Sequence, residues 1–174
     1  MISTRLGKAS VAVLAAAGTL AVAIPAGADP ATAASRCTTS VLSISHTRHD
    51  VGAGNGAEDI VFTNIGSKSC VLGGFPGAAY VAKSGKQLGA AADREGSTNG
   101  PITIAPGHKA RARLTFINNV GAVPRCYHPY QQAQAAGERV YPPGSTSAMF
   151  LRDRHPACKN PKVHLLHIEA VRAG

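Results

Sequence analysis

Four cysteines carry the most definite chemistry in the chain, because a cysteine pair can bind zinc or form a disulfide. Zinc sites built on cysteine use closely spaced pairs such as C-x-x-C, and the sequence contains none. An even number of cysteines in an exported chain predicts disulfides instead. The sequence therefore predicts two bridges, formed among Cys37, Cys70, Cys126 and Cys158.

Seven histidines raise the question of a bound metal ion. Two pairs, His46 with His49 and His164 with His167, are three residues apart, which places two rings on opposite faces of a strand. The second pair falls in a predicted strand and cannot chelate one ion by itself, while the first pair straddles a strand end. We therefore predict no metal site and no cofactor.

Motifs for catalysis are also missing from the sequence. There is no G-x-S-x-G nucleophile elbow, and the acidic pair Glu58-Asp59 lies at the end of a predicted glycine loop over 50–59. The glycines of that loop resemble a dinucleotide fingerprint, but a strand follows them where a helix would be needed. We predict a non-enzymatic protein with no catalytic residues. A secreted hydrolase with a triad assembled from distant strands is the alternative.

Basic residues outnumber acidic ones, with 18 Lys and Arg against 9 Asp and Glu, for a formal net charge of +9. Lys109, Arg111 and Arg113 alternate along a predicted strand, so they share one face at about 7 Å spacing. Such a face attracts anionic polymers, which predicts an anionic cell-envelope polymer or an envelope protein as partner. Nucleic acid is not expected, because aromatic platforms among the basic residues are sparse. The other hypothesis on function is a structural exported protein without a specific ligand.

The N-terminus has the pattern of a secretory signal peptide over residues 1–28. Arg5 and Lys8 precede an uncharged stretch over 9–24, and Ala26-Gly27-Ala28 offers a signal-peptidase site. The stretch is shorter than the roughly 20 residues that a spanning helix needs, so we expect no transmembrane segment. The protein is expected to be secreted, with retention at the cell wall left open, and residues 29–36 to form a disordered leader.

Beyond the leader, short runs of alternating apolar residues are separated by Gly and Pro clusters, a pattern typical of all-β domains. Charged residues make up 16% of the chain, below the roughly 25% of ordinary soluble domains, which argues against a charge-rich helical or disordered chain. The sequence predicts one domain over 37–174, an immunoglobulin-like antiparallel β-sandwich stapled by disulfides. In its strand over 109–118, alternation predicts that Ala110, Ala112, Leu114 and Phe116 are buried while Arg111 and Arg113 are exposed.

The same strands predict the disulfide pairing. Predicted strands 41–47 and 60–65 flank the glycine loop almost evenly, so a hairpin would carry Cys37 toward Cys70 at its open end. The midpoint between Cys126 and Cys158 falls on the Pro142-Pro143-Gly144 turn, which predicts a second bridge by the same argument.

The run over 64–77 resembles the signature N-x-G-x-x-x-C-x-L-x-G-[YF]-P-G of the DUF4232 domain, from Asn64 through Cys70 to Phe75-Pro76-Gly77. The sequence Ile104-Ala105-Pro106-Gly107 resembles the second landmark of that family, and the other cysteines fit its remaining cysteine positions. The resemblance covers essentially the whole predicted domain. It implies an exported β-sandwich with disulfides, and it implies no activity, because the family has no established function.

Overall fold

A computed structural model describes residues 34–174. The predicted signal peptide and the predicted leader up to residue 33 lie outside the described residues. The last leader residues are described: Ser35 accepts a hydrogen bond from the backbone N–H of Val71, and Arg36 forms a parallel bridge with that same residue. Within 34–174 no helix has both the length and the apolar character needed to cross a membrane.

The described part of the chain is all-β, as predicted, with short 3₁₀ turns as its helical elements. Its strands are β1 (Leu42–Gly52), β2 (Asn55–Asn64), β3 (Cys70–Leu72), β4 (Gly77–Val81), β5 (Gln87–Leu88), β6 (Asp93–Glu95), β7 (Ile102–Ile104), β8 (Lys109–Ile117), β9 (Gln132–Gln134), β10 (Gly137–Tyr141), β11 (Met149–Leu151), β12 (Pro156–Cys158), β13 (Leu166–Glu169) and β14 (Arg172–Ala173).

Two larger sheets and two small ribbons contain these strands. The first sheet has the order β1-β2-β8-β13-β6, with β14 also pairing with β8, and the second has the order β11-β10-β4-β5. The ribbons pair β12 with β9 and β3 with β7. Pairing is antiparallel except between β13 and β6, which run parallel. The all-β class with several sheets is thus confirmed, while the immunoglobulin-like arrangement stays a prediction.

Both larger sheets contribute to one hydrophobic core. The first sheet buries Ile60, Phe62 and Leu114 completely, and the second buries Tyr80 and Val140 almost completely. Removing side chains of this size from water supplies roughly 1.5–3 kcal/mol each. The shared core therefore brings the inward faces of β1, β2 and β8 against those of β4 and β10.

The register predicted for β8 is confirmed on its buried face. Ala110, Ala112, Leu114 and Phe116 are all buried, and the intervening residues are more exposed. The arginines of the other face are half-buried rather than exposed, because β8 is a central strand flanked by β2 on one side and by β13 and β14 on the other.

The predicted hairpin between the first two strands is also present, but its loop is much shorter than predicted. Gly52 pairs with Asn55 across a two-residue turn, in which Ala53 and Gly54 both have positive φ, as a tight hairpin requires. The predicted loop over 50–59 is therefore wrong at both ends, because β1 continues to Gly52 and β2 begins at Asn55. Pairing with β8 from Asn55 onward extends the strand, so Glu58 lies in a strand with its side chain in the interior.

Both predicted disulfides are confirmed. The Cys37–Cys70 bridge closes the open end of the β1–β2 hairpin, with its Cα atoms 4.9 Å apart. The Cys126–Cys158 bridge joins the segment after β8 to strand β12, with its Cα atoms 5.9 Å apart.

Candidate functional site

A cluster of titratable side chains lies in the interior between the two larger sheets. Alternation along β1 places His46 on the inward face, and β2 and β10 contribute the carboxylates of Glu58 and Glu138, which are 2% and 0% exposed. The segment that follows β11 turns inward and adds Asp153 and His155. We call these five residues the buried cluster.

Four short contacts connect the buried cluster. His46 Nδ1 lies 3.2 Å from Glu58 Oε2 and 3.3 Å from Asp153 Oδ2. His155 Nε2 lies 3.3 Å from the same Asp153 oxygen and 3.4 Å from Glu138 Oε1. Asp153 therefore stands between the two imidazole rings, and each ring also approaches one glutamate from a different sheet.

Aromatic residues fix the ring of His155. The Tyr80 ring stacks on it with a centroid distance of 5.3 Å, and the Phe116 ring meets it edge-on at 4.5 Å. Phe116 is held in turn by Gly56, where any Cβ atom would overlap its ring. The imidazole is thus oriented by packing, and its Nε2 atom is directed at the carboxylates.

The electrostatics of the buried cluster favour bound protons. Burial, with the nearby charges of Glu58 and Asp153, raises the pKa of Glu138 to about 9, since a low-dielectric interior disfavours the charged form. Burial and the charge of Glu138 raise the pKa of Tyr80 far above its usual range. At neutral pH Glu138 and Tyr80 are therefore both protonated.

Raising the pH should destabilise the protein through Glu138. The folded state keeps this carboxyl protonated up to about pH 9, whereas the unfolded chain releases the proton near the ordinary value of 4.5. The folded state therefore binds more protons across this interval. Its contribution to stability is fully present below about pH 4.5 and is lost as the pH rises toward 9, by at most about 1.4 kcal/mol per pH unit.

The check is a series of urea unfolding curves from pH 4.5 to 9, with EDTA present, on the wild type and on Glu138→Gln. The two proteins differ in this one titratable group, so the difference between their free energies of unfolding reports the effect of Glu138. As the pH rises, the free energy of unfolding of the wild type should fall steadily relative to that of Glu138→Gln. Two parallel pH profiles would contradict the prediction.

The buried cluster also contains donor atoms of the kinds that hold metal ions. The donor atoms of His46, Glu58 and Asp153 lie within 4.8 Å of one another, and so do those of Glu58, Glu138 and His155. Imidazole nitrogen and carboxylate oxygen are common ligands of divalent metals. Glu58 belongs to both groups and connects them.

Sequence reasoning missed most of this cluster because it compared histidines that are close in sequence. The members come from strands and a loop far apart in the chain. One signal was available: alternation over 137–141 places Glu138 on the same face as the apolar Val140. Nothing in the sequence indicated that Asp153 would turn inward.

The predicted anion-binding face lies on the outer side of the first sheet. Lys109 is exposed, while Arg111 and Arg113 are half-buried. Asp59 stands opposite Arg113 in the strand register and pairs with Arg172 at 2.7 Å. This face therefore carries a buried acidic residue among its cations, which lowers its positive potential.

A second basic surface lies beside strands β10 and β11. Two depressions, of about 440 and 520 Å³, share the lining residues Lys83, Ala136 and Arg152. Arg139 and the half-exposed Phe150 line the first depression, and Arg154 lines the second. Among the described residues that line them, none is acidic. We call this surface the basic groove, defined by its four cations Lys83, Arg139, Arg152 and Arg154.

The local chain geometry explains why the basic groove lacks acids. Arg152 and Arg154 are exposed, while Asp153 between them points into the buried cluster. A side-chain hydrogen bond of 3.0 Å from Arg139 to Gln87 fixes the guanidinium at the β5 side of the groove.

Comparison with known proteins gives one match. The family model of DUF4232, described as a domain of unknown function, matches residues 37–172. No curated protein matches the chain, and neither does any solved structure.

Proposed function

Because the chain belongs to the DUF4232 family, whose description carries no function, we propose its role from its own surface: it is an exported, non-enzymatic module that binds an anionic polymer of the cell envelope in the basic groove. The observation that carries the proposal is the convergence of four cations on adjoining depressions whose described lining contains no acid.

Several properties support an anionic polymer as the partner. Removal of the predicted signal peptide, which contains Arg5 and Lys8, takes the net charge from +9 to +7, and this charge draws anions toward the protein. Arginine presents a planar fork of donors that matches phosphate and carboxylate oxygens in pairs, and three of the four groove cations are arginines. The two joined depressions suit an extended ligand better than a single ion.

Export and the non-enzymatic role have separate support. The signal-peptide pattern over 1–28 predicts export, and two disulfides form and persist in oxidising compartments outside the cytosol. The groove offers a binding surface of fixed cations, and its described lining contains neither an acid nor a histidine that could exchange protons with a ligand.

The test is a binding titration with fluorescently labelled polyphosphate at low and at physiological salt. The variant Lys83→Glu/Arg152→Glu/Arg154→Glu should bind at least tenfold more weakly than the wild type. The matched control Lys68→Glu/Lys159→Glu/Lys162→Glu makes the same change in net charge at exposed positions outside the groove and outside the predicted anion-binding face. It should weaken binding far less, because a groove contact is local whereas net charge acts at long range.

Other arms of the titration examine the partner and the site. Poly-L-glutamate tests whether carboxylates substitute for phosphates, and single-stranded DNA tests the expectation that nucleic acid is not a ligand. Equal losses of affinity in the groove and control variants would show that the polymer is bound by nonspecific electrostatic attraction, which would contradict the proposal. If binding is weakened more by Lys109→Gln/Arg111→Gln/Arg113→Gln than by the groove variant, the polymer binds at the predicted anion-binding face instead. Breakdown of the polymer would contradict the non-enzymatic role.

A further inference from the structure

We propose that the buried cluster binds one divalent transition-metal ion, with its ligands drawn from His46, His155 and the carboxylate oxygens of Glu58, Glu138 and Asp153. This site is separate from the basic groove, so the inference does not depend on the proposed polymer.

The concentration of negative charge supports a bound cation. Three carboxylates lie together, and Glu58 and Glu138 are almost completely removed from solvent. A buried carboxylate is strongly unfavourable unless a cation or a proton compensates it. The ion pair that the structure records for Glu138 is with the ring of His155, so a bound proton or a metal ion must compensate this buried carboxylate.

The distances fit coordination better than hydrogen bonding. A tetrahedral ion with ligands at about 2.0–2.1 Å separates those ligands by roughly 3.3–3.4 Å. The four contacts of the buried cluster measure 3.2 to 3.4 Å. By contrast, the surface pair His164 and Asp93 has the 2.8 Å separation of an ordinary charge-assisted hydrogen bond.

The burial of Glu138 without hydrogen-bond partners is an independent observation in favour of a bound ion. Its side chain is 0% exposed, and neither carboxylate oxygen has a hydrogen-bond partner of acceptable geometry among the described residues. The Tyr80 hydroxyl is also buried without a hydrogen-bond partner among the described residues. Buried polar atoms in native proteins are nearly always satisfied, so a buried carboxyl without a hydrogen-bond partner beside the His155 ring marks the place of a missing ligand.

The surroundings of the buried cluster suit a metal site. Packing of Tyr80 and Phe116 holds the His155 ring in one orientation, which reduces the entropy lost when an ion binds. The side chain of His46 is 23% exposed and that of Asp153 is 14% exposed. These two residues form the side of the site through which an ion can enter from solvent.

The donor set indicates the class of metal. Imidazole nitrogens favour zinc and other first-row divalent ions, whereas calcium requires six to eight oxygen ligands. All four cysteines are occupied in disulfides and are not available as ligands. We therefore assign the site to a first-row divalent ion and use Zn²⁺ as the probe.

The experiment uses protein produced through a secretory route, with both disulfides formed, and freed of metal by a chelator. Calorimetric titration with ZnCl₂ and elemental analysis after gel filtration should give one bound ion per chain. Saturating zinc should raise the melting temperature by at least ~5 °C, because the ion binds the folded state. Calcium at the same concentration should produce no comparable shift.

Variants distinguish the buried site from zinc bound at surface histidines. Glu138→Gln keeps the shape of the side chain and removes its charge, and His46→Asn changes a ligand that is partly exposed and therefore safer for folding. Each should weaken zinc binding at least tenfold. The matched control His164→Asn, in the surface pair with Asp93, should bind zinc like the wild type.

Two results would overturn the inference. One is the absence of saturable zinc binding to the folded wild type, which would mean that protons alone compensate the carboxylates. The other is wild-type zinc affinity in both folded variants, which would place the ion elsewhere. Melting curves without metal establish that each variant is folded, and if Glu138→Gln does not fold, His46→Asn decides the question alone.

Discussion

Replacing Cys126 and Cys158 together by alanine should lower the free energy of unfolding by about 3 to 4 kcal/mol. The bridge closes a loop with a sequence separation of 32 residues, and removing it returns chain entropy to the unfolded state. Both cysteines are completely buried, so the loss of two sulfur atoms adds a packing penalty. We expect the melting temperature, followed by circular dichroism, to fall by about 10 °C.

The first bridge provides the comparison for this prediction. The Cys37–Cys70 bridge has a similar sequence separation of 33 residues, so its removal should have an effect of similar size. A reductant should destabilise the wild type and should have no effect on a variant lacking all four cysteines. A melting temperature within 2 °C of wild type for either paired variant would show that its bridge contributes little.

Asn64→Asp should destabilise the domain by about 3 to 5 kcal/mol at pH 7, although the two side chains have the same shape. Asn64 is fully buried, and its Nδ2 donates hydrogen bonds to the carbonyl oxygens of Lys68 and Ile104 at 2.8 and 2.9 Å. Its Oδ1 accepts a hydrogen bond from the backbone N–H of Gly66. An aspartate would direct a charged oxygen at two carbonyl oxygens.

The control for this substitution is Asn99→Asp, the same chemical change at an exposed loop position. It should leave the midpoint of urea unfolding nearly unchanged. If Asn64→Asp unfolds at the same urea concentration as the wild type, the hydrogen bonds of Asn64 do not hold the domain together.

The contacts of Asn64 also explain the family signature in physical terms. The side chain reaches Ile104, and the backbone carbonyl of Asn64 accepts a hydrogen bond from Gly107 at 2.7 Å. The signature over 64–77 and the second landmark over 104–107 are therefore bonded to each other through this residue. The amide of Asn64 supplies two donors and an acceptor at one buried position, on a side chain short enough to bond the backbone N–H two residues further on.

Local chemistry was enough to determine much of the fold from sequence. Alternation fixed the buried face of β8 from Ala110 to Phe116, because a shift of one residue would have exposed the whole set. The pairing of Cys37 with Cys70 followed from a hairpin that the glycine turn centres between them. These features depend on neighbours along one strand or across one turn, which the sequence order already supplies.

Tertiary structure alone decided the two candidate sites. Glu58 and Glu138 meet because two sheets share one core, and no local pattern encodes which positions of separate sheets face each other. The basic groove depends on Asp153 turning inward while Arg152 and Arg154 remain exposed. Charge and residue type were visible in the sequence, but distance and burial are properties of the packed chain, and these two quantities set the electrostatics of both sites.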